Sequence, residues 1–167
     1  AVGFDVGSEP LPAFFAAHGV DVVATDRIPD GVGTFDVVWS SSVVAHLGSP
    51  ERGLDFVLES CRLLKPGGVA VHTLELELTN QPETRDYGHC AVHRLEDLAA
   101  LEVRLAEVGC TATFNFGISM DTFEDRWISL ALHPDHGPRL PDPDGVHLKL
   151  VVGESVSTSF GILIRRL

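Results

Sequence analysis

The stretch from Phe35 to Glu75 constrains this chain more than any other. An apolar run, Phe35-Asp36-Val37-Val38-Trp39, ends in Ser40, Ser41 and Ser42, with His46 close behind. From Pro50 to Leu64, the residues Leu54, Val57, Leu58, Cys61 and Leu64 fall at helical spacing. Ser49 is the expected N-cap, and Pro50 sits at the first helical position, where its missing N–H costs little. Lys65-Pro66-Gly67-Gly68 stops the helix, and a second apolar run spans Val69 to Thr73. Leu74 to Asn80 then alternates, with Glu75 and Glu77 on one face and Glu75 placed beyond the strand end. The pattern is strand, polar turn, helix, glycine turn, strand. In an open α/β sheet, ligands sit at the carboxyl ends of strands. Both strands here end in residues that bind ligands or move protons.

A second unit of the same kind precedes it. Ala1–Val6 reads as a strand, Gly7-Ser8-Glu9-Pro10 as a turn, and Leu11–His18 as a helix capped by Gly19. Val20–Ala24 is the next strand, followed by Asp26. A loop entering a helix directs backbone N–H groups toward an anionic ligand group. A carboxylate after the second strand accepts hydrogen bonds from both hydroxyls of a ribose. The link from Asp26 to Thr34 is only nine residues and rich in Gly and Pro. Parallel strands need a crossover of about a dozen residues or more. The expectation is a segment missing at or just after Asp26, and further residues ahead of Ala1, where the sequence opens inside an apolar run.

Downstream, Gln81–His93 is polar and reads as a loop over the site. Leu95–Val108 has the spacing of a helix capped by Gly109, and Thr111–Phe116 that of a strand. Gly117–Val146 contains Pro134, Pro138, Pro141 and Pro143 and reads as a lid or insertion. His147–Val151 and Ser157–Arg165 are expected to pair through Gly153-Glu154. At 167 residues, a single domain over 1–167 is expected.

Charge narrows the partners. Twenty-four acidic against 12 basic residues give a net charge of −12, and Arg165-Arg166 is the one adjacent basic pair. Such a surface repels nucleic acid and anionic membranes alike. No apolar run approaches the ~18 residues of a membrane span. Cys61, Cys90 and Cys110 are odd in number and lack metal spacing, which suits a reducing, cytoplasmic setting. Whether copies of the chain associate as a homo-oligomer is left open by the sequence.

On these residues the chain resembles the class I S-adenosylmethionine (SAM)-dependent methyltransferases. Phe4-Asp5-Val6-Gly7-Ser8-Glu9-Pro10 resembles their first motif, and Val22-Val23-Ala24-Thr25-Asp26 their second strand with its ribose-binding acid. Phe35 through Leu47 resembles the fourth strand, and Arg62-Leu63-Leu64-Lys65-Pro66-Gly67-Gly68 the turn before the fifth. Thr158 through Arg165 suits their antiparallel last strand. The resemblance implies a Rossmann-like α/β sandwich with a mainly parallel sheet and an antiparallel last strand. It implies SAM as cofactor, S-adenosylhomocysteine as product, and a small-molecule acceptor of natural-product or sugar type, methylated at oxygen. Asp5, Gly7, Ser8, Glu9, Asp26, Ser40 and Ser41 would hold the cofactor. The first motif keeps Gly7 but not the later glycines, and the third strand with its acidic residue has no counterpart.

Methyl transfer to oxygen requires alignment, worth about 7–11 kcal/mol in favourable systems, and a base, worth about 10²–10⁴-fold. His46 is the candidate base and Glu75 the candidate acceptor contact. His72 reads as a buried structural histidine, Trp39 as core, and Lys65 as a partner of the last helix carbonyls. The pairs His89/His93 and His133/His136 have chelating spacing only on a helix, and both fall in expected loops, so no metal is assigned. Two other readings stand beside this one. An inactive methyltransferase-like binding or assembly subunit suits the departures in the first motif. An NAD-dependent oxidoreductase suits the βαβ unit less well, because a pyrophosphate needs close backbone approach at glycines.

Overall fold

The structure, a computed structural model, describes residues 2–5, 17, 21–24, 28–88, 90–116, 121, 128–129 and 149–167. The chain divides into two compact units, residues 1–33 and 34–167.

In the first unit, β1 (Val2–Asp5) and β2 (Asp21–Ala24) lie parallel, with Val2 opposite Asp21 and Asp5 opposite Ala24. Parallel pairing of strands this close in sequence is what a βαβ unit requires. Gly7, Ser8, Glu9 and Asp26 lie outside the described residues, as does all of the expected helix except Ala17, which is helical. Residues 28–34 run through a turn without forming a helix.

The second unit is a mixed sheet with helices. Its strands are β3 (Phe35–Ser40), β4 (Leu64–Glu77), β5 (Arg85–Asp86), β6 (Ala91–His93), β7 (Cys110–Phe114), β8 (Ile128–Ser129), β9 (Lys149–Val152) and β10 (Ser155–Arg166). β4 is central and runs parallel to β3 and β6. β10 runs antiparallel to β4, β7 and β9, so the expected antiparallel last strand is present along its full length. The β9–β10 hairpin turns at Gly153, as expected. Its φ is +58°, and an added Cβ would lie 2.0 Å from the Tyr87 ring, so only glycine fits.

Among the described residues of this unit are two α-helices, α1 (Pro50–Cys61) and α2 (Leu95–Glu107). Alternation along β4 and β10 gives one core, in which Ala70, Leu74, Ile162 and Ile164 meet Leu54, Val57, Leu98, Leu101 and Leu105. The opposite face carries Val37, Trp39, Val71 and Leu163, all exposed. In register, Trp39 lies opposite Val71 and Val71 opposite Leu163, forming an apolar row. Trp39 is 74% exposed, so the expectation that it belongs to the core is overturned. Its position in β3 places it on the side away from α1 and α2.

Ser49 caps α1 as expected, its hydroxyl accepting from the Arg52 amide at 3.1 Å, and Pro50 opens the first turn. Ser49→Ala is therefore expected to cost about 1 kcal/mol, read as a lower urea midpoint with an unchanged slope. The helix ends at Cys61, earlier than its apolar spacing suggests. Phe35 donates its amide to the Leu63 carbonyl at 2.7 Å, drawing Leu64 into the sheet opposite Phe35. The register then jumps, Val37 pairing with Val69. Gly67 takes φ +77° in this bulge, and a Cβ on Gly68 would lie 2.8 Å from the Lys65 carbonyl. The Pro-Gly-Gly turn is thus a bulge feeding β4, requiring both glycines.

Lys65 does not serve the helix end. Its ammonium donates to Asp36 at 2.8 Å, which holds the Asp36 carboxyl below its usual range. Arg166, at the far end of the chain, donates instead to the Leu64 carbonyl at 2.6 Å and the Cys61 carbonyl at 3.4 Å. The expected loop over 81–93 is also corrected, since it contains β5 and β6. Ala91-Val92-His93 is too short a run to show periodicity, yet it fills the parallel slot beside Glu75 and Leu76. The three cysteines are buried free thiols. Burial, with Cys110 alongside, pushes the Cys61 thiol up to about 12.

Candidate active site

The end of β3 is joined side chain to side chain to the middle of β4. Ser40, the last residue of β3, lies opposite His72 in register. The Ser40 hydroxyl is 2.8 Å from His72 Nδ1, and the Ser60 hydroxyl of α1 is 2.8 Å from Nε2. Ser60 donates its own proton to the Val57 carbonyl at 2.6 Å. Ser60 must therefore accept from His72 Nε2–H, leaving Nδ1 to accept from Ser40. The Phe56 ring meets the imidazole edge-on at 5.9 Å. His72 is fully buried, and burial lowers its pKa to about 4. It is the neutral structural histidine that was expected, and it holds Ser40 in place.

The chain turns sharply after Ser40. Ser42 adopts φ +54°, an uncommon conformation for a residue with a side chain. Its amide donates to Thr73 Oγ1 at 2.8 Å, tying the turn to β4. Ser41 is exposed. A 3₁₀ turn, Val44–His46, follows. Val44 is buried in the main core, and Ala45 in a second cluster with Cys90 and Val92. Gripped at these two residues, the turn presents His46 at the exposed surface.

Glu75 is placed differently from expectation. It lies within β4, opposite Ser159 on one side and Val92 on the other. Ser159 donates to Oε1 at 2.9 Å and Ser157 to Oε2 at 3.2 Å. The strand continues through it without a break, so alternation puts it on the opposite face from His72. The sequence reading ended the strand too soon because the alternating stretch after Thr73 is polar on one face. On that face Glu75 is flanked by Ser157 and Ser159 of β10 rather than by apolar side chains.

A role for Glu77 was not evident in the sequence. It is 7% exposed at the end of β4. Its carboxylate accepts from the Thr79 amide at 2.7 Å, the Gln81 amide at 3.1 Å and the Thr79 hydroxyl. Burial alone would raise its pKa. The Thr79 hydroxyl and the amides of Thr79, Gln81 and Asn80 outweigh this and hold it below its usual range. The available signal was the Glu-Leu-Thr spacing, which suits a side chain capping its own turn.

Among the described residues no group of three or more His, Cys, Asp or Glu side chains gathers, and of the two histidine pairs only His93 is described. His93 is a buried β6 residue, its Nε2 3.3 Å from the Pro50 carbonyl and its Nδ1 without a hydrogen-bond partner. His89, His133 and His136 lie outside the described residues, as do Gly7, Ser8, Glu9, Asp26 and the Asp5 side chain. Of the expected lid, only Asp121 and the short β8 are described.

Residues 7–72 match the family model described as a methyltransferase domain. No curated protein matches the sequence. Among solved structures, the chain is similar to an S-adenosylmethionine-dependent methyltransferase from Clostridium acetobutylicum, at 8% identity and a TM-score of 0.53, covering 99% of this chain and 74% of that one. It is similar to a SAM-dependent methyltransferase from Methanosarcina mazei at 14% identity and 0.52, covering 99% and 81%. CalS10, an amino pentose methyltransferase from Micromonospora echinaspora, matches at 15% identity and 0.52, covering 99% and 73%. Two further matched structures are longer, and the chain spans only 42% and 61% of their length. Sequence pattern and strand arrangement agree that this chain is built on the class I methyltransferase fold.

Proposed function

We propose that the chain is a SAM-dependent methyltransferase acting on a small hydroxyl-bearing molecule. The observation that carries this reading is the polar turn that ends β3 and is tied to the middle of β4, with Ser40 held by His72, Ser42 by Thr73, and His46 exposed. An exposed polar turn at the carboxyl end of a parallel strand suits the charged amino-acid end of SAM. Ser40 and Ser41 would hold that end, and by resemblance Asp5, Gly7, Ser8, Glu9 and Asp26 are the further candidate cofactor residues. When bound, SAM supplies an electrophilic methyl group. The chain's own work is to orient the acceptor and take its proton. His46 is the base, and Glu75, steadied by Ser157 and Ser159, helps orient the acceptor. The name of one similar structure, SAM-bound CalS10, involved in calicheamicin biosynthesis, supports a natural-product or sugar-type acceptor. The buried free thiols suit a reducing compartment such as the cytoplasm.

Calorimetry with SAM and S-adenosylhomocysteine tests the cofactor. Both are expected to bind, and Asp26→Ala to weaken SAM by about tenfold or more, a loss of ~1.4 kcal/mol. Absence of binding by either ligand overturns the reading. S-adenosylhomocysteine release over a panel of hydroxylated small molecules tests the base. His46→Ala is expected to slow release about 10²–10⁴-fold without changing SAM affinity; full turnover in that variant would remove His46 as the base.

A further inference from the structure

Beside the strand ends, on the α2 side, lies a cleft of about 860 Å³. The end of β4, the first turns of α2, the end of β7 and the middle of β10 form its walls. Ser40, Ser41, His46 and Glu75 are not among its described lining residues, whereas Ser159, which holds Glu75, is one, so the cleft adjoins the proposed transfer site without sharing those four residues. Its volume falls within the range of small-molecule pockets, about 300–1,000 Å³.

One wall is aromatic. Phe116 and Phe160 stack with centroids 5.1 Å apart and planes 17° apart. Phe114 continues the panel, 6.4 Å from Phe160 and inclined by 29°. Phe160 is anchored in the core, whereas Phe116 leaves 51% of its surface exposed. The panel therefore offers a flat ring face to a ligand, the arrangement that suits a second ring in offset stacking.

The charged lining selects the ligand's sign. Glu77, Arg94, Glu96, Glu102 and Lys149 line the cleft. The Arg94 guanidinium is already engaged, with Glu96 at 3.8 Å, Asp97 at 4.0 Å and the Pro82 carbonyl at 2.5 Å. Glu77 and Glu102 then stand against Lys149, an excess of negative charge. The buried Glu77 carboxylate accepts two hydrogen bonds at Oε1 but only one at Oε2, leaving acceptor capacity there. An ammonium group satisfies this lining, and a cation beside aromatic faces gains further attraction. A carboxylate or phosphate does neither.

We propose that this cleft is a second binding site, for an amine-bearing aromatic small molecule whose ring lies on the Phe114–Phe160–Phe116 panel and whose ammonium faces Glu77 and Glu102. Tryptamine and indole-3-acetate share a ring and differ in charge, which makes them direct probes. In calorimetry on the full chain, tryptamine binds, and indole-3-acetate binds about tenfold more weakly or not at all. Phe116→Ala and Glu102→Gln alter exposed residues, so both variants keep the wild-type melting temperature. Each weakens tryptamine about fivefold, and SAM affinity is unchanged in both. Equal binding of the two probes, no tryptamine binding, or wild-type tryptamine affinity in Phe116→Ala overturns the proposal. A parallel SAM titration keeps the two readings separate, because failure of tryptamine with intact SAM binding rejects the cleft site alone.

Discussion

Ile162→Ala is expected to lower unfolding free energy by about 2–5 kcal/mol. Ile162 has no exposed surface and lies opposite His72 on β4 and Phe114 on β7. It therefore packs where both neighbours of β10 converge beneath the helices. Truncation removes apolar contact and leaves a cavity that two hydrogen-bonded neighbouring strands cannot collapse to fill. Urea unfolding should show a lower midpoint with the slope retained. Leu163→Ala, one residue along, is the internal control. Its side chain is 43% exposed on the opposite face, and it should cost about 1 kcal/mol or less. Equal losses for the two variants would contradict the assignment of faces in β10.

Acidification should remove a comparable amount of stability through His72. Its pKa falls from 6.5 in the unfolded chain to about 4 in the fold. The unfolded chain thus takes up a proton that the folded chain refuses between these values. The stabilising contribution is fully present above pH 6.5, declines as pH falls, and is lost by about pH 4. At about 1.4 kcal/mol for each pH unit between the two values, the loss is about 3 kcal/mol. His93 shifts in the same direction, also through burial, and adds to the decline. Urea melts from pH 7 to pH 4 measure the total. His72→Gln should flatten the curve while lowering stability at neutral pH, because Ser40 and Ser60 lose their shared partner. A wild-type curve that stayed level over this window would remove the neutral, buried His72. Protonation at Nδ1 would also deprive the Ser40 hydroxyl of its acceptor, so weakened SAM binding at low pH should accompany the loss of stability.

Much of the frame was legible from local pattern. The Pro50 helix with its Ser49 cap, the helix before Gly109, the strands on either side of Lys65-Pro66-Gly67-Gly68 and the Gly153 hairpin all follow from short-range rules of spacing, capping and turn chemistry. Errors arose where a long-range partner decided the outcome. Lys65 found Asp36 across the sheet rather than its own helix end, which Arg166 serves from the other end of the chain. Ala91–His93 became a strand because β4 offered an open edge. Trp39 is apolar by type, and nothing in its neighbours in sequence tells which face of β3 the helices will cover.

The same division runs through the candidate site. The sequence alone determined that serines and a histidine follow β3 and that carboxylates mark the end of β4, since composition at strand ends is a local property. Only the tertiary structure decided what those groups are able to do. It tied Ser40 to a neutral His72 and bound Glu75 to two serines from β10. It buried Glu77 as an ionised cap and brought Phe114, Phe116 and Phe160 into one wall. The physical reason is that hydrogen-bond partners, burial and ring contacts here join residues as many as 84 apart in sequence. Residue type specifies which interactions a side chain is able to make, and sheet register selects the ones it makes.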